Sequence, residues 1–115
     1  MKNYFSLDHK IIFYTPSTYA GKPIDTKTLT ARTHAVAGLF SDWFGGATIE
    51  TGLGYWKGKD GKFTTEKINK IVSFATAEAI EKHTKNALNL ASTKCKKWRQ
   101  EAIGLEIDNK FLLID

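Results

Sequence analysis

The sequence predicts an α+β protein of the ferredoxin-like class: a split βαβ arrangement (βαββαβ, plus a C-terminal strand) with two helices on one face of an antiparallel sheet. Two stretches have the apolar spacing of amphipathic helices, and they lie between stretches with the alternation or β-branched content of strands. An Asp60-Gly61 turn signal joins the central strands as a hairpin. At 115 residues, the whole chain (1–115) is expected to form one domain around a single core.

The first strand and the loop after it come from the segment 10–27. Residues 10–15 are a β-branched and aromatic run that predicts a buried strand, ended by Pro16. The segment 16–27 carries Ser, Thr, Gly and both prolines, which is the composition of an ordered loop. Because so long a loop is unusual inside a small domain, we expect it to take part in binding.

The first helix is expected between this loop and the pair Gly45-Gly46. Apolar residues at three- and four-residue spacing predict its buried stripe: Leu29, Val36, Leu39, Phe40 and Trp43. Its candidate N-caps have short oxygen-bearing side chains: Asp25, Thr26 and Thr28. The glycine pair ends the helix because glycine adopts a left-handed conformation without a Cβ penalty.

The rest of the fold follows from a change of period after the glycine pair. Alternation predicts a strand over 47–56, a lysine-rich turn over 57–62 and a paired strand over about 63–74, whose polar first half is expected to project beyond the sheet. A second helix is predicted from about 76 to 97. Two short strands then close the sheet, at 101–108 and 111–114.

Charge and composition narrow the function classes. The net charge of +5 and the pI near 9.3 favour anionic partners such as nucleotides, nucleic acid or acidic proteins, although a lysine-rich surface also serves solubility. A single Cys95 excludes an internal disulfide, and no Cys/His spacing suggests zinc, so neither a metal nor a cofactor is expected. No apolar run approaches the roughly 20 residues that span a bilayer, and the first residues do not resemble a signal peptide. A cytoplasmic protein is expected.

Several short motifs resemble those of small ferredoxin-fold proteins of bacteria and their phages. They are Phe-Tyr-Thr-Pro-Ser-Thr (13–18), Phe-Gly-Gly-Ala-Thr (44–48), Gly-Tyr-Trp (54–56), Gln-Glu-Ala (100–102) and Leu-Glu-Ile (105–107). The likeness covers about residues 11–114 and brings no catalytic residues with it. It implies the α+β fold and, more loosely, a kinship of shape with signalling proteins of the PII type, which bind nucleotides between subunits.

The candidate ligand site combines the first loop with neighbouring residues. Hydroxyls and backbone N–H groups after a strand can hold a phosphate or carboxylate, and a lysine or arginine adds charge. An indole beside strand glycines can stack on a planar base. The proposed ligand-binding residues are Thr15, Ser17, Thr18, Tyr19, Lys22, Arg32, Thr48 and Trp56. The competing structural interpretations are a loop bonded to itself, glycines that only end a helix, and a strand face that meets another subunit.

Two further sites are weighed against this one. Lysines of the hairpin could contact a protein or nucleic acid, and the candidate partner-binding residues are Lys57, Lys59 and Lys62. A cofactor-free enzyme would need His34, Glu50 or Tyr55 in one pocket. No motif ties a nucleophile to a base, so no catalytic residue is assigned. The strand acids are expected in salt bridges: Glu50, Glu66, Glu101 and Glu106.

The leading hypothesis is a non-enzymatic, oligomeric binding module. It would capture a small anionic ligand, most plausibly a nucleotide, and in a phage it would sequester a host immune signal. The glycine-rich strand and the apolar closing hairpin predict that a second subunit covers the open sheet face, which makes a dimer or larger ring. The alternatives are an inhibitor of the anti-defence or anti-CRISPR type that acts through its lysine-rich hairpin, and the small cofactor-free enzyme.

Overall fold

The computed structural model describes residues 3–115 and shows two helices packed on one face of a five-stranded sheet. The elements are β1 (His9–Pro16), β2 (Thr18–Tyr19), β3 (Lys22–Pro23), α1 (Thr26–Phe44), β4 (Thr48–Lys57), β5 (Phe63–Ala75), α2 (Ala77–Lys97), β6 (Ile103–Ile107) and β7 (Lys110–Ile114). The sheet order is β4-β5-β1-β6-β7, and every neighbouring pair is antiparallel. The predicted α+β class and its βαββαβ order are confirmed. Residues 1 and 2 of the predicted domain lie outside the described part.

The core lies between the sheet and the helices. On the central strand β1, Ile11 and Phe13 point to the helix side and are fully buried. The Phe13 ring makes edge contacts with Phe40 of α1 at 6.0 Å and with Trp98 at the end of α2 at 6.4 Å. Aromatic pairs of this geometry stabilise a core beyond the area that they bury. Both helices are therefore fixed to the same strand.

Both helices begin at residues whose side chains cap them. Of the three candidate caps, Asp25 is the N-cap of α1, and its Oδ1 accepts a hydrogen bond from the backbone N–H of Thr28 at 2.7 Å. Gly45 ends α1 with φ +96°, as the glycine pair predicted. Thr76 caps α2 by accepting from the backbone N–H of Ala79 at 3.1 Å.

The β4–β5 hairpin extends beyond the helices. Residues 53–67 pair only with one another, because β1 ends at Pro16, which lies opposite Ile68. We call this segment the arm. Tyr55 and Phe63 of the arm are 68% and 70% exposed, because no helix covers them. The polar half of β5 therefore projects as predicted. On α1, by contrast, Leu39 of the predicted buried stripe lies at the exposed edge of the helix.

Candidate functional site

The loop between β1 and α1 is folded on itself as a small hairpin. Strands β2 and β3 pair with each other, and the turn between them uses left-handed backbone at Ala20 (φ 51°) and Gly21 (φ 80°). The backbone N–H of Ile24 donates to the carbonyl of Ser17 at 2.9 Å and closes the loop. The segment that the sequence predicted as one loop is thus an ordered surface feature next to the end of the sheet.

Arg32 of α1 fixes the start of this loop. Its Nη1 donates to the carbonyls of Pro16 at 2.9 Å and Thr18 at 2.7 Å, and its guanidinium lies over the Trp98 ring, 4.6 Å from the centroid. The side chain is only 7% exposed. Burial lowers the pKa of Arg32, and the nearby Glu66 carboxylate opposes that shift. The guanidinium is thus occupied within the chain, whereas the sequence had suggested it for a ligand.

Gln100, which follows α2, is a second anchor for the loop. Its Nε2 donates to the carbonyls of Thr18 at 2.8 Å and Trp98 at 2.9 Å. Its Oε1 accepts from the Thr18 hydroxyl at 3.2 Å. The Thr18 hydroxyl therefore already has a hydrogen-bond partner within the protein. For this one residue, that favours a structural role in holding the loop. Nothing in the sequence linked these two positions, 82 residues apart.

A groove of about 280 Å³ separates the loop from the arm. The loop and the start of α1 line one wall with Ser17, Thr18 and Leu29, and β5 lines the other with Glu66. This volume is just below the range of about 300–1,000 Å³ that small-molecule sites usually have. The groove brings Ser17 and Thr18, two of the predicted ligand residues, next to a carboxylate.

The carboxylate of Glu66 lies at a corner between the groove and the open face of the sheet. Its Oε2 is 3.4 Å from the backbone nitrogen of Ser17, which donates to it. Across the hairpin Glu66 pairs with Gly54, and the Trp56 indole lies over Gly54: a β-carbon at Gly54 would be 3.1 Å from its Nε1. We call this arrangement of Trp56, Gly54, Glu66 and the Ser17 N–H the Glu66 corner.

The corner differs from the strand face that the alternation of β4 predicts. That alternation puts Glu50, Gly52, Gly54 and Trp56 on one face, with the acid and the indole at opposite ends, but the indole folds back over Gly54 and the acid beside it is Glu66. The sequence assigned Glu66 only to a salt bridge, and no ion pair of Glu66 is present among residues 3–115. The Asp60-Gly61 turn contained the missing signal, because the hairpin register sets Glu66 opposite Gly54.

The remaining predicted ligand residues lie outside the corner. Thr15 is fully buried on the helix side of β1, where its hydroxyl has no hydrogen-bond partner among the described residues. Tyr19 and Lys22 are exposed on the small hairpin and pair with each other across it. Thr48 starts β4, six residues from Gly54, which separates them by about 20 Å along the strand.

The hairpin lysines and the candidate enzyme residues do not converge on the corner. Lys57, Lys59 and Lys62 are exposed around the tip of the arm. Glu50 and Tyr55 point to opposite sides of β4, since five residues separate them, and His34 is exposed on α1. Within one chain these three do not share a pocket.

The open face of the sheet carries a connected set of charged and aromatic groups. The Tyr14 hydroxyl donates to Oε1 of Glu106 at 3.2 Å, and Lys70 lies over the Tyr14 ring at 5.8 Å. Burial, together with the charges of Glu106 and Glu50, raises the pKa of Tyr14. Exposed apolar residues surround the set: Phe74, Phe111 and Leu113. The structure leaves this face without a covering layer.

Comparison with known proteins identifies a shared fold. No protein-family model matches the sequence, and no curated protein matches it either. Among solved structures, a phage SAM lyase in complex with S-methyl-5'-thioadenosine matches with a TM-score of 0.69 at 16% identity, covering 99% of this chain and 94% of that one. The phage SAM lyase in its apo state matches with a TM-score of 0.66 at 15% identity, over 100% and 91% of the two chains.

Two other properties concern residues 3–115 alone. None of the helices in this range is long and apolar enough to cross a membrane. The same range contains no group of three or more His, Cys, Asp or Glu side chains placed to hold a metal ion.

Proposed function

We propose that this protein binds a sulfonium nucleoside of the S-adenosylmethionine type at the Glu66 corner and cleaves it as a lyase. The observation that carries the proposal is a half-buried carboxylate set beside an exposed indole, at the edge of a groove of small-molecule size. The likeness in fold to a phage SAM lyase, which extends over nearly the whole of both chains, supports it.

The charge of the corner favours a cationic ligand. The sequence-based hypothesis was an anionic nucleotide held by Lys22 and Arg32, but the guanidinium of Arg32 is occupied by two carbonyls. The ionised group of the corner itself is the Glu66 carboxylate, although the positive charge of the nearby Arg32 guanidinium offsets part of its attraction for a cation. A sulfonium or ammonium about 4 Å from a carboxylate gains up to about 4 kcal/mol at an effective dielectric constant near 20. This proposal retains the nucleoside of the original hypothesis and reverses the sign of the charge beside it.

The Trp56 indole is suited to the rest of such a ligand. An adenine ring that stacks on an aromatic side chain gains about 1–3 kcal/mol. The same ring face attracts a cation, with a gain of about 0.5–2 kcal/mol that depends on desolvation. Ser17 lines the groove, and its hydroxyl supplies a donor for the ribose or the substrate carboxylate. Recognition of the nucleoside thus needs no group from outside residues 17–66.

The chemistry of a lyase explains why water must be excluded. The bond between sulfur and the γ-carbon breaks, its electron pair stays on sulfur, and neutral S-methyl-5'-thioadenosine leaves. The four-carbon fragment completes its bonding through its own carboxylate oxygen, or by losing a proton from its β-carbon to the Glu66 carboxylate as a carbon–carbon double bond forms, so no water is consumed. Since a positive and a negative charge disappear together, transfer from water to a closed site favours the transition state.

A second copy of the chain is proposed to close the site. The arm leaves Tyr55 and Phe63 exposed, and the open face leaves Phe74 and Leu113 exposed. These large apolar side chains lie on two surfaces that no helix covers, so they offer apolar area that a second copy could bury. An arm of one copy that covers the open face of the next would bury both and would make a closed ring.

The test is release of S-methyl-5'-thioadenosine, measured by liquid chromatography and mass spectrometry with the purified protein and S-adenosylmethionine. We expect product from the wild type and a loss of at least 100-fold in kcat/KM for Glu66→Gln, equivalent to about 2.7 kcal/mol of transition-state stabilisation. Glu81→Gln is the matched control, because Glu81 is exposed on α2. Equal rates for the two variants would place the chemistry elsewhere.

A binding module without turnover is the second candidate, because His34, Glu50 and Tyr55 do not assemble within the chain. In that case the nucleoside binds, with an affinity that Glu66→Gln and Trp56→Leu both reduce, and no product forms. Native mass spectrometry of the protein as purified reports the oligomer and any retained nucleoside together. A protein that neither retains nor binds a nucleoside, and forms no product, would remove both candidates.

A further inference from the structure

The outward face of α2 is a basic surface that the proposed lyase function does not use. Ala87, Ala91 and Cys95 form the buried side of the helix. At 100° per residue, the opposite side carries one exposed acid, Glu78, together with exposed Asn89 and Thr93 and four exposed lysines: Lys82, Lys85, Lys96 and Lys97. This α2 basic face is separated from the open sheet face by the whole thickness of the domain.

The positive charge of this face is only partly neutralised by the chain itself. The ion pairs among residues 3–115 involve His9, Lys10 and Lys70, and none involves a lysine of α2. The segment 86–100 contains no acidic residue. A nearby like charge on Lys97, in addition to burial, lowers the pKa of Lys94. Glu78 and Glu81 lie four residues before Lys82 and Lys85 and offset part of their charge, whereas the segment around Lys96 and Lys97 has no such carboxylate.

The helix dipole accounts for only part of the pattern. Lysines in the last turn, such as Lys96 and Lys97, stabilise a helix because its C-terminus carries a partial negative charge. That effect does not extend to Lys82 and Lys85, which lie in the first half of α2. Fourteen residues separate Lys82 from Lys96, or about 21 Å along the axis. The result is a line of charge along the helix.

The composition of the face distinguishes between polyanionic partners. None of the exposed large apolar side chains of the described residues lies on α2. A stable protein interface needs apolar or aromatic residues at its centre, and single-stranded nucleic acid needs aromatic rings on which bases stack. Contacts to a sugar–phosphate backbone need only cations and hydrogen-bond donors, which Asn89 and Thr93 supply between the lysines.

From these observations we infer that the α2 basic face binds the phosphate backbone of double-stranded nucleic acid without sequence preference. The four lysines neutralise up to four phosphates and release their counterions. The logarithm of the binding constant then falls with the logarithm of salt concentration with a slope of about −3.6. Between 50 and 200 mM salt, this slope corresponds to a loss of affinity of roughly 150-fold.

The experiment measures fluorescence anisotropy of a labelled random-sequence duplex of about 24 base pairs at several salt concentrations, with the full-length protein. In Lys85→Gln/Lys96→Gln two phosphate contacts are lost, so the slope should fall to about −1.8 and the salt-induced loss to roughly 12-fold. The matched control is Lys59→Gln/Lys62→Gln, which removes the same charge from the arm tip. It should keep the wild-type slope. Circular dichroism checks that each variant is folded.

Four outcomes would overturn the inference. One is a wild type without salt-dependent binding. Another is an equal loss of affinity in the two double variants, which would show an effect of net charge alone. A third is a larger loss in the arm variant, which would assign the contact to the hairpin. A single-stranded oligonucleotide that bound more tightly than the duplex would also contradict it.

Discussion

Arg32 is expected to be the main stabiliser of the loop that lines the groove, and Arg32→Met tests this. The variant keeps an unbranched side chain to pack on Trp98 but loses both hydrogen bonds to the carbonyls of Pro16 and Thr18. A hydrogen bond from a charged donor contributes about 1.5–3 kcal/mol, and a stacked guanidinium adds about 0.5–1 kcal/mol. Part of this is offset, because the buried charge no longer has to be desolvated.

We therefore expect Arg32→Met to lower the free energy of unfolding by about 3 kcal/mol. Urea denaturation followed by circular dichroism measures this, and Tm should fall by roughly 10–20 °C. Arg99→Met is the matched control, since Arg99 is the only other arginine and is exposed; surface changes of this kind stay within about 0.5 kcal/mol.

A loop that loosens should also bind S-methyl-5'-thioadenosine more weakly, which isothermal titration reports separately from stability. Should the two arginine variants unfold within about 0.5 kcal/mol of each other, Arg32 would not hold the loop. The account of the groove would then be wrong in its main structural element.

Two other predictions concern the corner and the far end of the sheet. Gly54→Ala should displace the Trp56 indole, because the new β-carbon would lie 3.1 Å from it. The variant should therefore bind the nucleoside more weakly and show a shift in tryptophan fluorescence. Gly52→Ala is the control: its new β-carbon meets open space, so nucleoside binding and fluorescence should not change. Hydrogen bonds from His9 and a neighbouring backbone N–H lower the pKa of Asp108 below its ordinary value of 3.8; its stabilisation is therefore present above that value and lost as pH falls through the folded-state pKa. The difference in unfolding free energy between wild type and Asp108→Asn should thus shrink on acidification, and a constant difference from pH 6 to pH 2 would contradict the assignment.

Local signals in the sequence were sufficient for the arrangement of elements. Capping by Asp25, the left-handed glycine at Gly45 and the Asp60-Gly61 turn each depend on residues a few positions apart, so a single sequence shows them. Burial was harder to predict. Leu39 and Tyr55 have the right spacing for a buried face, but whether a face is covered depends on where another element ends, which the periodicity of one segment does not contain.

The candidate site was predicted in part for the same reason. Ser17 and Trp56 were proposed as ligand residues, and the structure brings the Ser17 N–H and the Trp56 indole to either side of Glu66. The sequence could not predict that Arg32 and Gln100 donate hydrogen bonds to the Thr18 carbonyl. These contacts join residues 14 and 82 positions apart, and they exist only once both helices have packed on the sheet.

The position of the corner on the arm links the proposed chemistry to the proposed assembly. Glu66 belongs to a segment that pairs only with β4 and that no helix of its own chain covers. In such a place a carboxylate and an indole attract a sulfonium only as strongly as water permits, because bulk solvent screens the charge. Cleavage that cancels two charges gains rate where water is absent. A layer from a second copy laid over the face of Glu66 would therefore strengthen binding and remove water in one step. It would also bury the Trp56 indole, which shares that face, whereas Tyr55 and Phe63 point to the opposite side of the arm.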